Sequence, residues 1–140
     1  MALVNAILTD PALLEQNRLV RDLTTDRDRL TQRVSDLSGA QAALTNAESA
    51  LSTAITNSAA LLETLRGTLQ NPDNALDLAT AMRNDDDVIA SSVLVVKLQD
   101  DVVLAKAQVD MLSKAQADLT KAQSDLDAAL LAGGQLLVNL

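Results

Sequence analysis

The side chains best suited to chemistry in this chain are few, and almost all are carboxylates. Histidine, cysteine and tyrosine are absent from the 140 residues, which removes the commonest general bases, nucleophiles and soft metal ligands. Catalysis would fall to Asp, Glu, Lys, Arg, Ser or Thr. The densest acidic cluster is Asp85, Asp86 and Asp87, whose oxygens suit a hard cation. Three consecutive carboxylates on a helix point in different directions, however, and the alternating ligands and glycine of a calcium loop are missing. Capping of a helix start is the better account. Asp22, Asp26 and Asp28 interleave with Arg27 and Arg29 and read as a solvated, charge-laced helix face. Gly133-Gly134 is too short for a phosphate loop and follows no strand, so it reads as a hinge. The expectation is a non-enzyme with no catalytic, metal or cofactor site.

A second polar set is more informative, because its positions fall inside a hydrophobic repeat. Leucine recurs every seventh residue at Leu23, Leu30, Leu37, Leu44 and Leu51, the period of helices that supercoil around a partner. With these leucines at heptad position d, position a holds Val20, Arg27, Val34, Gln41, Glu48, Ile55 and Leu62. The period returns at Leu112, Leu119 and Leu126, and residues 37–51 match residues 112–126 at ten of fifteen positions. Two related long helices follow. The second places Val88, Val95, Val102, Val109 and Leu130 at a, and Leu98, Ala105, Leu112, Leu119 and Leu126 at d, with Gln116 and Gln123 as polar a residues. Gln41, Glu48, Gln116 and Gln123 are therefore expected to be polar layers that set register and partner number.

The elements that hold these positions can be bounded from local signals. Residues 1–9 form an apolar head, and Asp10-Pro11 starts a long helix over 10–67, since proline is tolerated in a first turn. Gly39 is a weak point in it. A capping box between Ser38 and Gln41 is the rival to a continuous helix. Gly67 ends the helix, and Asn71-Pro72 opens a short one within 71–84, with Leu76, Leu78, Ala79 and Met82 as its apolar set. A second long helix spans 85–132. Residues 88–104 are β-branched enough to admit a strand, but the heptad phase through them favours helix. The hinge at Gly133-Gly134 then leaves an apolar tail carrying Leu136, Leu137, Val138 and Leu140.

Fewer than twenty connecting residues cannot return the chain along a helix of about 55 residues, roughly 80 Å at 1.5 Å per residue, so the long helices should be antiparallel. That pairing sets the charged segment 18–33 opposite Asp118, Asp125 and Asp127. The expected fold is a single all-α domain: a long antiparallel, coiled-coil-like helical hairpin with a short linking helix, assembling into an oligomeric helical bundle. Oligomerisation is expected because Glu48 is the only charged residue between Leu37 and Leu62, while Ala40, Ala47 and Ala54 flank the leucine seam at g. A helix so poor in charge needs more than one neighbour.

Composition excludes other classes. The net charge is −8 and no aromatic residue is present, so neither a phosphate-binding footprint nor a base-stacking surface exists. The most apolar run is about half of the roughly 20 residues a membrane span needs. Without a basic start, the opening residues do not read as a secretory signal, and a soluble protein is expected.

In its Ala, Leu, Thr, Ser, Asn, Gln and Asp content, its polar seam and its missing aromatics, the chain is similar to helical segments of tailed-phage virion proteins such as fibres, needles and tail or baseplate connectors. That resemblance implies a structural or assembly role, with the chain itself as partner and another structural protein held through the apolar ends. The alternative is a soluble helical adaptor or secretion-chaperone-like binding module. Secreted hairpins of the WxG type need a tryptophan this chain lacks. Interfacial lipid-coat helices usually carry Trp or Phe and a basic face.

Overall fold

A computed structural model describes residues 5 and 9–139; the rest of the apolar head, and Leu140 of the expected tail, lie outside the described residues. Every regular element among the described residues is helical: α1 (Pro11–Asp36), α2 (Ala40–Gly67), α3 (Ala75–Asn84) and α4 (Asp86–Val138). Residues 88–104 are helix, not strand.

Aspartates start both α1 and α4. Asp10 Oδ1 accepts hydrogen bonds from the amides of Ala12 at 2.8 Å and Leu13 at 3.4 Å, with Pro11 in the first turn. Asp85 Oδ1 accepts from the Val88 amide at 3.0 Å, while Asp86 and Asp87 occupy the first turn of α4, where negative charge opposes the positive end of the helix dipole. The acidic triplet is thus spent on one helix start.

The expected helix over 10–67 is broken at residues 37–39. Ser38 N–H reaches back to Ser35 O at 3.2 Å in a tight three-residue turn, and Gly39 begins α2 with no side-chain cap. The capping box between Ser38 and Gln41 does not form. The comparison within the chain explains the break: Lys114 stands where Gly39 stands in the matching segment, and α4 runs through that point unbroken. A glycine inside a helix is about 1 kcal/mol less favourable than alanine.

Two further boundaries need correction. The short helix begins at Ala75, not after Asn71-Pro72, because the Asn74 side chain accepts from the amides of Leu76 and Asp77, while Asn71 accepts the Asn74 amide in a preceding turn. Gly133-Gly134 is no hinge, since α4 continues through both to Val138. Glycine weakens a helix by only a fraction of what proline does, and a long helix already propagating absorbs it.

The chain divides into two compact units, Met1–Ser38 with Asp110–Leu140, and Gly39–Val109. In the first, α1 lies antiparallel to the last part of α4: Leu13 and Val20 share a groove with Leu130 and Leu137, and Thr31 lies beside Leu119 and Gln123. The charged segment does meet the acidic one, with Asp26 and Arg29 beside Asp118 and Asp125. The ion pairs nevertheless stay within single helices: Arg18 pairs with Glu15 and Asp22, Arg29 with Asp26, and Lys121 with Asp125 at 2.7 Å. Neighbours three or four residues away on one's own helix are reached with less ordering of a flexible side chain. The Asp125 carboxylate, hydrogen-bonded to the Lys121 ammonium and opposite in charge, raises the Lys121 pKa above its ordinary value.

In the second unit α3 caps the end of α2, with Leu78 and Met82 beside Leu62 and Arg66. Arg66 pairs with Asp73 at 2.6 Å. Of the expected apolar set of α3, Leu76 is 76% exposed and Ala79 is also exposed; Ala81 takes an inward place.

Gly39 adopts ordinary negative φ, and a Cβ there would meet nothing within 4 Å. Gly39→Ala is therefore expected to stabilise the fold by about 0.5–1 kcal/mol, read as a rise in the urea midpoint at unchanged slope. A fall in the midpoint would show that the break depends on glycine for more than its flexibility.

Candidate assembly interface

Helices bury a stripe, and the stripe in this chain changes course twice. Along α1 the inward positions are Leu13, Gln16, Val20, Leu23, Arg27, Leu30, Val34 and Leu37, stepping alternately by three and four residues. The next inward residue is Ala40, a second consecutive step of three. From there the stripe runs through Leu44, Ala47, Leu51 and Ala54. In α4 it follows Val88, Val95, Leu98, Val102, Ala105, Val109 and Leu112, then takes the same double step of three to Ala115 and continues through Leu119, Ala122, Leu126 and Ala129. At 3.6 residues per turn, a step of three falls about 60° short of a full turn. Two in succession therefore move the contact line to the alanine column beside the leucines, a local overwinding known from interrupted heptads.

The expected polar layers are displaced by this shift. Gln41, Glu48 and Gln116 are exposed, one position past the inward-facing Ala40, Ala47 and Ala115, of which Ala40 and Ala115 are buried and Ala47 is half-buried. Gln123 is half-buried, but its amide donates to Asp127 of its own helix at 2.9 Å. Leu130 is 52% exposed, and Ala129 beside it takes the inward place. The seam residues Leu23, Leu30, Leu37, Leu44, Leu51, Val95, Leu98, Leu112 and Leu119 are half-buried, while Val102 and Leu126 are buried. Among the described residues six of the ten buried apolar ones are alanine, so helix contacts are made largely by small side chains that let backbones approach.

The double step falls at equivalent places, Leu37–Ala40 and Leu112–Ala115, 75 residues apart. The same offset relates the two capping aspartates, Asp10 and Asp85, and the buried residues that follow them, Leu13 and Val88. Each compact unit thus holds the first half of one repeat and the second half of the other. In the described unit of α1 and the end of α4, larger residues such as Leu23 and Leu30 lie beside Ala122, large against small as close packing requires.

At the end of that unit, Leu13, Gln16, Asn17, Val20, Leu130, Gly133, Gly134 and Leu137 line a groove of about 420 Å³. Gln16 Nε2 donates across the helices to the Ala129 carbonyl. Gly133 is half-buried under Gln16, and a Cβ there would sit 3.3 Å from Gln16 Cγ. Of the pair read as a hinge, Gly133 thus leaves room for the Gln16 side chain to cross between the helices. Leu136 is half-buried, Leu137 is 40% exposed and Val138 is 85% exposed.

The apolar surface of residues 88–104 that the seam does not cover lies on the opposite side of α4. Ile89, Val93, Val96 and Val103 are 44%, 65%, 57% and 65% exposed and recur at helical spacing away from the buried seam. The signal was present as the β-branched richness of residues 88–104. Hydroxyls offer little elsewhere: Thr24, Thr31, Thr45, Thr56, Thr64 and Thr120 each donate to a carbonyl four residues earlier, which satisfies them within their own helix. Among the described residues no group of three or more acidic side chains converges as a metal ion would need, and no helix is long and apolar enough to cross a membrane.

No protein-family model, curated protein or solved structure matches this chain.

Ala115 is 2% exposed and Gln116 is exposed. Ala115→Leu is expected to lose about 1–3 kcal/mol by overpacking, whereas Gln116→Leu should change stability by less than about 0.5 kcal/mol; equal losses in urea titrations would return the seam to its unshifted register. A Cβ at Gly134 meets nothing within 4 Å, so Gly134→Ala should add about 0.5–1 kcal/mol. Gly133→Ala, which must push Gln16 aside, should add less, and thermal melts of the two variants will rank them.

Proposed function

We propose that this chain is a structural or assembly protein, a homo-oligomeric helical module that serves within a larger particle. The observation that carries the reading is the outer stripe of α4, Ile89, Val93, Val96 and Val103, standing about half exposed in the same compact unit as α2, where Glu48 is the only charge over residues 40–62. Apolar faces on both sides of a helix call for a neighbour on both sides. In this reading the helices pair as coiled-coil-like hairpins, and copies associate to form a helical bundle.

Magnitudes bound how tight that association is. Full burial of a Val or Ile side chain contributes about 1.5–3 kcal/mol, so four half-exposed residues on each of two chains supply roughly 6–12 kcal/mol. Association itself costs about 4–15 kcal/mol in lost freedom and ordering. The stripe alone supports a dimer that dissociates on dilution, and a larger assembly would draw on further surface. The end of α4 supplies some, since Leu131 is 65% and Val138 is 85% exposed seven residues apart on one face; this is where another structural protein would dock.

Light scattering after size exclusion, run from about 1 µM to 500 µM, is expected to show a defined multimer that shifts toward monomer at the dilute end. A monomer throughout would end this reading in favour of a helical adaptor. Deleting residues 135–140 should keep the helical circular dichroism and release the chain from the particle fraction of its source; retention in that fraction would remove the tail from the docking role.

A further inference from the structure

The two repeats act as controls for one another. Seventy-five residues before Ile89, Val93, Val96 and Val103, the first repeat carries Leu14, Arg18, Arg21 and Asp28. Those four are all exposed, as the later four are. The repeat therefore folds with charges on this face, and the β-branched side chains of the second copy answer to something outside the helix pair.

The order of residues around Val96 says what that something is. Counted outward from Val96, the pairs Leu94/Leu98, Ser92/Asp100, Ser91/Asp101, Ala90/Val102, Ile89/Val103 and Val88/Leu104 match in polarity, while Val95/Lys97 and Val93/Gln99 do not. Of the matching pairs, Ser92/Asp100 and Ile89/Val103 are exposed at both members. Polarity thus reads alike in six of the eight pairs. A two-fold contact between antiparallel helices sets each position level with its mirror about the axis, so such a match keeps apolar residues beside apolar ones.

We propose that the outer face of α4 binds a second copy of this chain, with the two helices antiparallel and a two-fold axis at Val96; the proposal rests on the homo-oligomer reading and specifies its geometry. In that register Ile89 of one copy lies level with Val103 of the other, and Val96 meets Val96. Asp100, the one charge that interrupts the stripe, falls level with Ser92 of the second copy; both are exposed in the single chain, and a hydroxyl can donate to the carboxylate it faces. A parallel pairing would instead stack Asp100 on Asp100. Lys97 stays bonded to Asp101 of its own helix at 3.0 Å.

The chain has no cysteine, so single thiols report the contact cleanly. Val96→Cys is expected to form a disulfide-linked dimer under mild oxidation, because residues on the axis come within the Cα separation of about 4.4–6.8 Å that a disulfide needs. Ile89→Cys and Val103→Cys should link to each other when mixed and not to themselves. Val96→Arg copies Arg21 at the matching position of the first repeat, so it should keep full helicity while raising the dimer dissociation constant at least tenfold. A multimer by light scattering in which Val96→Cys stays unlinked, Ile89→Cys links to itself, or Val96→Arg associates like the parent overturns this geometry and leaves the homo-oligomer reading standing. A parent chain that is monomeric at every concentration removes both.

Discussion

An alanine three residues after a seam leucine decides how closely two helices of this chain can lie, and the rest of the structure follows from where those alanines fall. Without aromatic residues, the interior cannot be filled by a few large side chains. It is filled by bringing backbones together, which only small side chains allow. Ala40 and Ala54 do this in α2, and Ala115, Ala122 and Ala129 do it in α4, all buried. The contact line must reach that column from the leucine heptad, and the double three-residue step is how it does so.

That constraint makes sense of the duplicated pattern. The same shift appears in both repeats, at Leu37–Ala40 and at Leu112–Ala115, but the chain absorbs it differently. With Gly39 the helix stops and restarts; with Lys114 it continues. A change of seam does not by itself break a helix, and glycine supplies the rest. The opposite outcome at Gly133, where glycine is kept inside a continuous helix, reflects its neighbour: the Gln16 side chain crosses above it to the Ala129 carbonyl.

Narrow seams leave much apolar surface uncovered. Among the described residues no side chain falls below 2% exposure, and fifteen large hydrophobic residues stand exposed. On α4 Ile89, Val93, Val96 and Val103 form a face of their own, where the matching helix of the first repeat carries Leu14, Arg18, Arg21 and Asp28. One repeated pattern thus carries a charged surface in one half of the chain and an apolar one in the other, and the assembly role proposed for the protein rests on that contrast.

Composition and the seven-residue leucine period were enough to read an all-helical chain, the starts at Asp10 and Asp85, and the kinship of residues 37–51 with 112–126, because these depend on local hydrogen bonding and on which faces are apolar. They could not tell which of two adjacent columns turns inward. Gln41 and Ala40 sit about 100° apart on one helix, and both flank the same leucines. Only tertiary packing chose between them, since the choice depends on how near the partner backbone can come, and that selected alanine. Tertiary packing likewise brought the charged and acidic segments side by side while their ion pairs stayed within each helix, and Gly133, read as part of a hinge, became a place where the Gln16 side chain crosses between two helices.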